Sequence, residues 1–419
     1  MEELKRIVDG DKDMGSGPTS SSVIVESPCE GLVALGSDKN DGLSLSYDRH
    51  IDPVYALQTM PDVHIFEAPK SIKSLATAIT ECEPFQQSLR NKAGRNSLTI
   101  HAVVPGMIKG QRNPLLKRRS SLVAQQVRDT WKRLYPAARE TSKTVVSTSS
   151  TTTINKHKKD DERWLLQILM LSPDRAAVSL ASCRRPFASH DAVWPNPHLP
   201  VGLARVDIEG NMPSSAYRKL LEAFACMGVC PSADDIVVDL GASPGGWTKA
   251  LRLLSGCRVV AIDRSELDPK LMKDQSVKFV KGDAFVYEPP RRVSWMVSDV
   301  IAYPERVLEL LESWCGARLA DNLVVTMKFQ GREPAWGVVS ESIELADKYG
   351  YDGRAKHFFN NKNEVTLMLC SRGVELSTED DEEDGDGGRA TSVAVNVGRS
   401  DCRDVSHLVS TPFYVDGIL

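Results

Sequence analysis

The stretch Asp239-Leu-Gly-Ala-Ser-Pro-Gly-Gly-Trp-Thr248 follows an apolar run and leads into a helical pattern. A strand that passes through a glycine-rich turn into a helix is the opening unit of a Rossmann-like α/β fold. Gly241, Gly245 and Gly246 permit positive φ and a close approach of the backbone to a ligand. The first amides of the following helix point to the same place, which suits a carboxylate group. The stretch therefore predicts the ligand-binding turn of an α/β domain.

Apolar strand-like runs alternate with helical patterns on both sides of this turn, from about residue 210 to residue 370. Such alternation predicts a mostly parallel sheet that is covered by helices on both faces. We predict seven strands, at residues 236–240, 258–262, 277–280, 294–298, 323–328, 355–359 and 364–370. We predict helices at residues 215–227, 246–254, 265–274, 305–319 and 334–349. The fold class is therefore α/β, with a Rossmann-like seven-stranded sheet and smaller α+β structure before it.

Composition divides the remainder of the chain into segments with different character. Alternating apolar runs and one helical pattern indicate small α+β units, whereas polar runs rich in Gly, Ser and Thr indicate disorder. The predicted segments are a disordered N terminus at 1–22, a small α+β unit at 23–90, a second unit at 97–190 with a Ser/Thr-rich insertion at 142–160, the α/β domain at 210–370 and an acidic disordered tail at 371–419.

Charge is unevenly distributed along the chain, although the formal net charge is only −4. Residues 90–163 hold 17 Lys and Arg against 5 Asp and Glu, whereas residues 371–390 hold 8 acidic residues against 2 Arg. A basic region beside an acidic tail fits a nucleic-acid partner. The basic side chains that we expect to neutralise phosphates are Lys109, Arg112, Lys117, Arg118, Arg119, Lys156, Lys158 and Lys159. A solvated loop explains the last three of these equally well.

Several classes of protein are disfavoured by composition. No apolar run approaches the roughly 20 residues that cross a bilayer. The first 14 residues lack both the apolar core of a secretory signal and the arginine-rich pattern of a transit peptide. Nine cysteines are scattered without the spacing of metal ligands, as is usual in a reducing compartment. We therefore expect a soluble intracellular protein, with the cytoplasm favoured, that binds no membrane and requires no metal.

Charged side chains come directly after one predicted strand after another. Asp239, Asp263, Asp299 and Lys328 end such runs, and Asp283 follows the third. Ligands of open α/β sheets bind outside the carboxyl ends of the strands, so these side chains are candidate ligand contacts. Asp263 lies 24 residues after Asp239, about the spacing at which Rossmann folds place an acid on a ribose. Asp283 could accept a hydrogen bond from an exocyclic amine, and an ordinary turn explains it equally well.

A dinucleotide is the alternative ligand for such a turn. The segment departs from the G-x-G-x-x-G pattern, and Pro244 removes one backbone amide from the loop. Fewer amides make a poorer cradle for two phosphates. A nicotinamide-dependent oxidoreductase is therefore the less favoured interpretation.

The quoted stretch resembles the first motif of the FtsJ-like RNA ribose 2′-O-methyltransferases. Ser294-Trp-Met-Val-Ser-Asp-Val300 with Pro304, and Asn363-Glu-Val-Thr-Leu367, are most similar to the bacterial members that methylate a cytidine ribose in large-subunit ribosomal RNA. The resemblance implies an enzyme that uses S-adenosyl-L-methionine as cofactor and RNA, with ribosomal RNA favoured, as substrate. The cofactor contacts that it implies are Ser243, Pro244, Gly245, Gly246, Trp247, Asp263, Asp283, Asp299 and, before the preceding helix, Ser215.

The same resemblance implies a catalytic set of two lysines and two acids. Its members here are Lys219, Asp299, Lys328 and Glu364. Lys328 would accept the proton of the ribose hydroxyl, Asp299 and Lys219 would orient and tune it, and Glu364 would hold the ribose or Lys219. A lysine can act as a base where burial or a like charge lowers its pKa. Each residue alone has a structural explanation, and Arg218 competes with Lys219 for the inward-facing position.

Residues from about 98 to 187 are weakly similar to the THUMP-type RNA-binding domain that precedes the catalytic domain in these enzymes, and the unit before it loosely resembles their ferredoxin-like domain. Two other functions stay open. Cap-modifying methyltransferases of messenger RNA share the catalytic set, and a non-catalytic RNA-binding or assembly protein could retain a relic cofactor site. We expect a monomer.

Overall fold

The computed structural model describes residues 23–29, 32–37, 60, 62–68, 71–92, 98–104, 114–134, 163–183, 206, 210–330 and 334–372. The chain divides into two compact units, which are Met1–Arg205 with Val409–Leu419 and Val206–Leu408. The disorder predicted for residues 1–22, the insertion at 142–160 and nearly all of the predicted tail lie outside the described residues.

The first unit contains a two-stranded antiparallel pair and a four-stranded sheet among its described residues. The pair consists of β1 (Val23–Cys29) and β2 (Leu32–Ser37). The four-stranded sheet has the order β3-β6-β5-β4. Its strands are β3 (His64–Glu67), β4 (Leu98–Val103), β5 (Arg163–Ser172) and β6 (Arg175–Cys183). The helices are α1 (Ile72–Thr80), α2 (Glu83–Lys92) and α3 (Pro114–Leu134).

Helical spacing explains how α3 covers this sheet. Val123, Val127 and Trp131 recur on one face of the helix and are buried in the same core as alternate residues of β5, among them Leu166 and Ile168. The helix begins at Pro114, and proline is favoured in the first turn of a helix.

The sheet joins two ranges for which the sequence predicts separate units. β3 comes from the range 23–90 and pairs antiparallel with β6, which comes from the range 97–190. Described parts of both ranges therefore share one sheet. The sequence pattern does not reveal this pairing, because strand partners distant in sequence leave no local period.

The second unit is a seven-stranded sheet with helices. Its strands are β7 (Ile236–Leu240), β8 (Arg258–Asp263), β9 (Val277–Lys281), β10 (Val293–Ser298), β11 (Ala320–Lys328), β12 (Tyr351–Lys356) and β13 (Glu364–Ser371). Its α-helices are α4 (Tyr217–Met227), α5 (Gly246–Ser255), α6 (Pro304–Gly316) and α7 (Trp336–Lys348). The predicted fold class, α/β with a seven-stranded Rossmann-like sheet, is confirmed.

The strand order of this sheet is β12-β13-β11-β10-β7-β8-β9. Strands β7 to β11 pair with parallel neighbours, and β13 lies antiparallel between β11 and β12. From β7 the chain adds β8 and β9 on one side, and then returns to add β10 and β11 on the other. The order therefore reverses between β7 and β10, and ligands of such sheets bind at this switch point.

Burial on both faces explains why the central strands read as continuous apolar runs. Val237 and Val238 of β7 and Trp295 and Met296 of β10 are all fully buried. On one face, Phe224 of α4 packs edge-on against Trp295, with ring centroids 5.3 Å apart. Such a pair adds a directional contact to area burial and fixes α4 against the strand that ends at the switch point.

Two predicted elements are wrong. Residues 265–274 form a single 3₁₀ turn at Leu271–Lys273 rather than a helix. The carboxylate of Asp263 accepts the Ser265 amide and that of Asp268 accepts the Lys270 amide, which favours turns, and Pro269 disfavours helical geometry in the residue before it. The strand predicted at 355–359 ends at Lys356, because the next residues form the loop to β13.

No helix among the described residues is both long enough and apolar enough to span a membrane.

Candidate active site

The glycine turn and the end of β10 meet at the switch point. Gly241 has a φ of +74°, and a Cβ there would lie 3.1 Å from the Cα of Val300. Only glycine combines this backbone conformation with so close a neighbour. Ser298 ties the two strand ends together, since its hydroxyl donates to the carbonyl of Leu240 at 3.1 Å. Asp299 is consequently held beside the turn.

Two lysines and two carboxylates converge at this place. The Nζ of Lys219 lies 2.8 Å from Oδ1 of Asp299 and 2.8 Å from Oε1 of Glu364. The Nζ of Lys328 lies 3.1 Å from the same Oδ1 of Asp299 and donates to the Asp299 carbonyl at 2.7 Å. The structure thus brings together all four residues of the predicted catalytic set. We call these four residues the tetrad.

Strand register explains how β11 and β13 contribute to the tetrad. Lys328 ends β11 and is the cross-strand partner of Glu364, which begins β13. Thr326 lies two residues before Lys328, on the same face of β11, and its hydroxyl donates to Oδ1 of Asp299 at 2.6 Å. The carboxylate of Asp299 therefore accepts hydrogen bonds from Lys219 and Thr326 and forms an ion pair with Lys328, and these contacts fix its side chain.

Helix α4 turns Lys219 rather than Arg218 inward. The side chain of Lys219 is only 7 % exposed, whereas the guanidinium of Arg218 bonds the exposed carbonyl of Ser215. The charge of Lys219 is compensated by two carboxylates, which is the arrangement that a buried ammonium group requires.

The remainder of the glycine turn is closely packed. Gly245 has a φ of +106° and precedes α5, and a Cβ there would overlap Leu271. A Cβ on Gly246 would overlap the hydroxyl of Ser214. The indole of Trp247 donates to the carbonyl of Ala216 at 2.9 Å. The start of α4 is thereby joined to the start of α5. The exposed Ser215 lies between Ser214 and Ala216, the two residues that make these contacts.

Asp263 holds the front of the turn. One of its carboxylate oxygens accepts the amide of Ser243 at 3.0 Å, and the other accepts the amide of Ser265 at 2.8 Å. The Ser243–Pro244 peptide bond is cis. Each oxygen of Asp263 keeps one further lone pair, so the carboxylate can still accept a bond from a ligand.

Asp283 makes the turn contact that is one of the two interpretations given for it, and its contact with an exocyclic amine stays a prediction. One oxygen accepts the amide of Phe285 at 3.0 Å, which is a turn contact, and the other pairs with Arg264 at 2.6 Å. The Phe285 amide and then the Arg264 guanidinium lower the pKa of this carboxyl. The carboxylate is therefore a partly exposed, ionised acceptor near the end of β9.

Two supporting residues, Asn361 and Glu222, escape the sequence analysis, and Asp239, which is predicted there as a candidate ligand contact, is instead enclosed in the core. Asp239 is fully buried, and burial raises its pKa to about 7, while the hydroxyl of Thr248 donates to it at 2.6 Å. The amide of Asn361 contacts Glu364 at 3.4 Å. Glu222, one helical turn after Lys219, has its pKa raised to about 7 by burial. A period of three to four along α4 was the available signal for Glu222.

The sheet order, the glycine turn and the charged residues at the switch point together define a Rossmann-like α/β domain with a candidate ligand site. Residues 212–328 match the model of the FtsJ-like methyltransferase family. This matched range lies within the second unit of the chain. The matched range includes Lys219, Asp299 and Lys328, and ends before Glu364.

Curated relatives are similar over two fifths to one half of the chain. Ribosomal RNA large subunit methyltransferase M of Shewanella frigidimarina is 32 % identical over 226 residues, which are 50 % of this chain and 59 % of the relative. The protein of that name from Thauera aminoaromatica is 36 % identical over 180 residues, 41 % of this chain and 49 % of the relative. The chain thus spans about half the length of the curated relatives that it matches.

Among solved structures, a putative ribosomal RNA methyltransferase from Plasmodium falciparum shares 14 % identity, with a TM-score of 0.31 over 38 % of this chain and 97 % of that one. A likeness at this level carries no argument about the chain.

Proposed function

We propose that this protein transfers a methyl group from S-adenosyl-L-methionine to a ribose 2′-hydroxyl of RNA, with ribosomal RNA as the substrate. The observation that carries the proposal is the tetrad. Its charged groups form a chain of ion pairs at the switch point, from Lys328 through Asp299 and Lys219 to Glu364, and the two groups of each pair lie no more than 3.1 Å apart. The matched family and the names of the curated relatives support the same reaction and the same class of RNA.

The residues of the turn fit the cofactor. Gly245 and Gly246 leave no room for a Cβ and bring the backbone to the start of α5, whose free amides suit the carboxylate of an amino acid. Asp263 keeps acceptor capacity for ribose hydroxyls, and Asp283 offers a charged acceptor to an exocyclic amine. Ser215, Ser243, Pro244, Trp247 and Asp299 complete the proposed contacts. When bound, S-adenosyl-L-methionine supplies an electrophilic methyl group on a sulfonium.

The chain itself supplies a proton acceptor and its supports. Lys328 in its neutral form takes the proton of the 2′-hydroxyl and becomes an ammonium group. The carboxylate and the carbonyl of Asp299 stabilise that ammonium, at 3.1 and 2.7 Å. Lys219 holds Asp299 and Glu364 in fixed positions, so the hydroxyl meets a pre-organised site.

The first unit is proposed to dock the RNA as a THUMP-like domain. Support comes from the basic composition of residues 90–163 and from the exposed position of Arg118 on α3. Phosphate neutralisation by such cations provides affinity without sequence preference.

Methyl transfer to ribosomal RNA tests the proposal directly. With labelled cofactor and RNA from cells that lack the protein, the native chain should methylate one ribose, and Lys328→Met should lose about 100-fold or more of the rate. Lys278→Met removes an exposed lysine on β9 and should be as active as the native protein. Ribose mapping identifies the product. Label on a base would contradict methylation of the ribose, and full activity of Lys328→Met would contradict its role as proton acceptor. Label found only on capped messenger RNA would show that messenger RNA, not ribosomal RNA, is the substrate.

A further inference from the structure

A large aromatic side chain is exposed on the loop that leads to Glu364 of the tetrad. Phe359 is 59 % exposed in the loop between β12 and β13, whereas its neighbour Phe358 is buried. The loop ends at Glu364, a member of the tetrad. Single exposed apolar residues are ordinary, so the position of Phe359 is informative only through the contacts that hold its loop.

The loop that carries Phe359 is fixed by buried acceptors. Glu222 is buried on α4, and its two oxygens accept the amides of Phe359 and Asn360, both at 3.1 Å. Asn361 accepts the amide of Phe358 at 2.7 Å. Charge-assisted bonds of this kind are among the stronger hydrogen bonds in proteins. The backbone of Phe359 is therefore held in place before any ligand arrives.

The same contacts connect the loop to the reaction centre. Glu222 lies one helical turn from Lys219 on α4, and the side-chain amide of Asn361 reaches the carboxylate of Glu364. On the other side of Lys219, Asp299 is followed by two further exposed apolar residues, Ile301 and Tyr303. Exposed apolar side chains thus lie on both chain segments that supply an acid to Lys219.

We propose that Phe359 stacks on an unpaired nucleobase of the substrate RNA next to the methylated ribose. This inference rests on the proposed function. A ribose that reaches the tetrad brings its neighbouring nucleotides to the surface around it, and unpaired bases of RNA are bound by stacking on aromatic rings. Exposed Lys362 in the same loop adds a cation for the backbone, and an aromatic ring beside a cation is the usual composition of a single-strand site.

The test compares variants of the full-length protein on the RNA that the native protein methylates. Phe359→Ala should raise the KM for RNA about tenfold, with a smaller change in kcat, and should leave the affinity for S-adenosyl-L-methionine unchanged. Phe359→Trp should restore the native KM, because a ring of either kind stacks. Leu253→Ala is the matched control, since Leu253 is 62 % exposed on the last turn of α5.

Several outcomes separate this inference from the proposed function. If Phe359→Ala and Leu253→Ala both keep the native KM, or if Phe359→Trp is as poor as Phe359→Ala, stacking by Phe359 is refuted while the methyltransferase stands. A cationic contact would change the salt dependence of RNA binding, so an altered slope in Phe359→Ala would also overturn it. If the native protein methylates no RNA, the proposed function fails first.

Discussion

Lys219 is the residue at which the tetrad is joined, because its ammonium group contacts both acids at 2.8 Å. Within the tetrad, the ammonium group of Lys328 pairs with Asp299 alone, and its side chain is 22 % exposed against 7 % for Lys219. The two lysines therefore differ in what they stabilise. Lys219 compensates buried charge, whereas Lys328 lies at the more exposed position, where we propose that the ribose hydroxyl enters.

This difference predicts that Lys219 contributes more to stability than Lys328, and that Lys328 contributes through activity. Lys219→Met leaves the buried Glu364 and the half-buried Asp299 without their shared cation and should lower the free energy of unfolding by about 3 kcal/mol. Lys328→Met leaves Asp299 bonded to Lys219 and Thr326, and should cost about 1 kcal/mol or less. Urea denaturation followed by tryptophan fluorescence measures both. Equal losses would show that the two lysines share the structural role.

Asp239 predicts a pH dependence of stability. Burial raises its pKa from 3.8 in the unfolded chain to about 7 in the folded state. Between these values the folded state binds more protons, so this group's contribution to stability decreases as the pH rises from about 4 to about 7. Asp239→Asn cannot ionise and should remove that part of the decrease. Denaturation midpoints of both proteins across this range provide the measurement, and parallel curves would contradict the prediction.

At the scale of elements, helix α5 is bounded by two glycines of different environment. Gly245 at its start has a φ of +106° and is crowded by Leu271, whereas Gly256 at its end has a φ of +70° and no atom within 4 Å of an added Cβ. Both conformations favour glycine, but only Gly245 lies in the glycine turn.

These two glycines form a matched pair of substitutions. Gly256→Ala should cost about 1 kcal/mol of stability, the strain of a left-handed alanine, and leave cofactor affinity unchanged. Gly245→Ala adds steric overlap to the same strain and should weaken binding of S-adenosyl-L-methionine about tenfold or more. Calorimetric titration measures this affinity. Native affinity in Gly245→Ala would show that the turn is not the cofactor site.

At the scale of the whole molecule, the region rich in basic residues and the tetrad lie in different parts of the sequence. The tetrad lies in the second unit, whereas the excess of Lys and Arg lies between residues 90 and 163, in the first. On α3, Arg118 is exposed, whereas Arg119 bonds the carbonyl of Pro173 and pairs with Asp174 at 3.3 Å. Neighbouring arginines of one helix are therefore expected to serve different purposes.

If the first unit docks RNA through phosphates, affinity should fall steeply with salt. Arg118→Ala should weaken binding at low salt and reduce the slope of log Kd against log salt by about one. Arg119→Ala should act mainly on stability. RNA titrations at several salt concentrations measure the slope. A flat salt dependence of the native protein would exclude this region as the docking surface.

The sequence alone determined the class of the fold and two members of the tetrad. Asp299 and Lys328 directly follow buried strands, and the carboxyl ends of parallel strands meet at one edge of the sheet. Lys219 and Glu364 were identified by family resemblance, because a helix residue and a strand-edge acid carry no local sign of facing inward. The helix predicted at 265–274 failed because side-chain bonds to the backbone and Pro269 outweighed an apolar period.

Tertiary structure decided the remainder. The choice of Lys219 over Arg218, the bond of Thr326 to Asp299, the pairing of β3 with β6 and the hold of Glu222 on the Phe359 loop all join residues far apart in the chain. Local patterns record which face of an element is apolar. They do not record which distant group will meet its polar atoms, because that depends on how the elements pack.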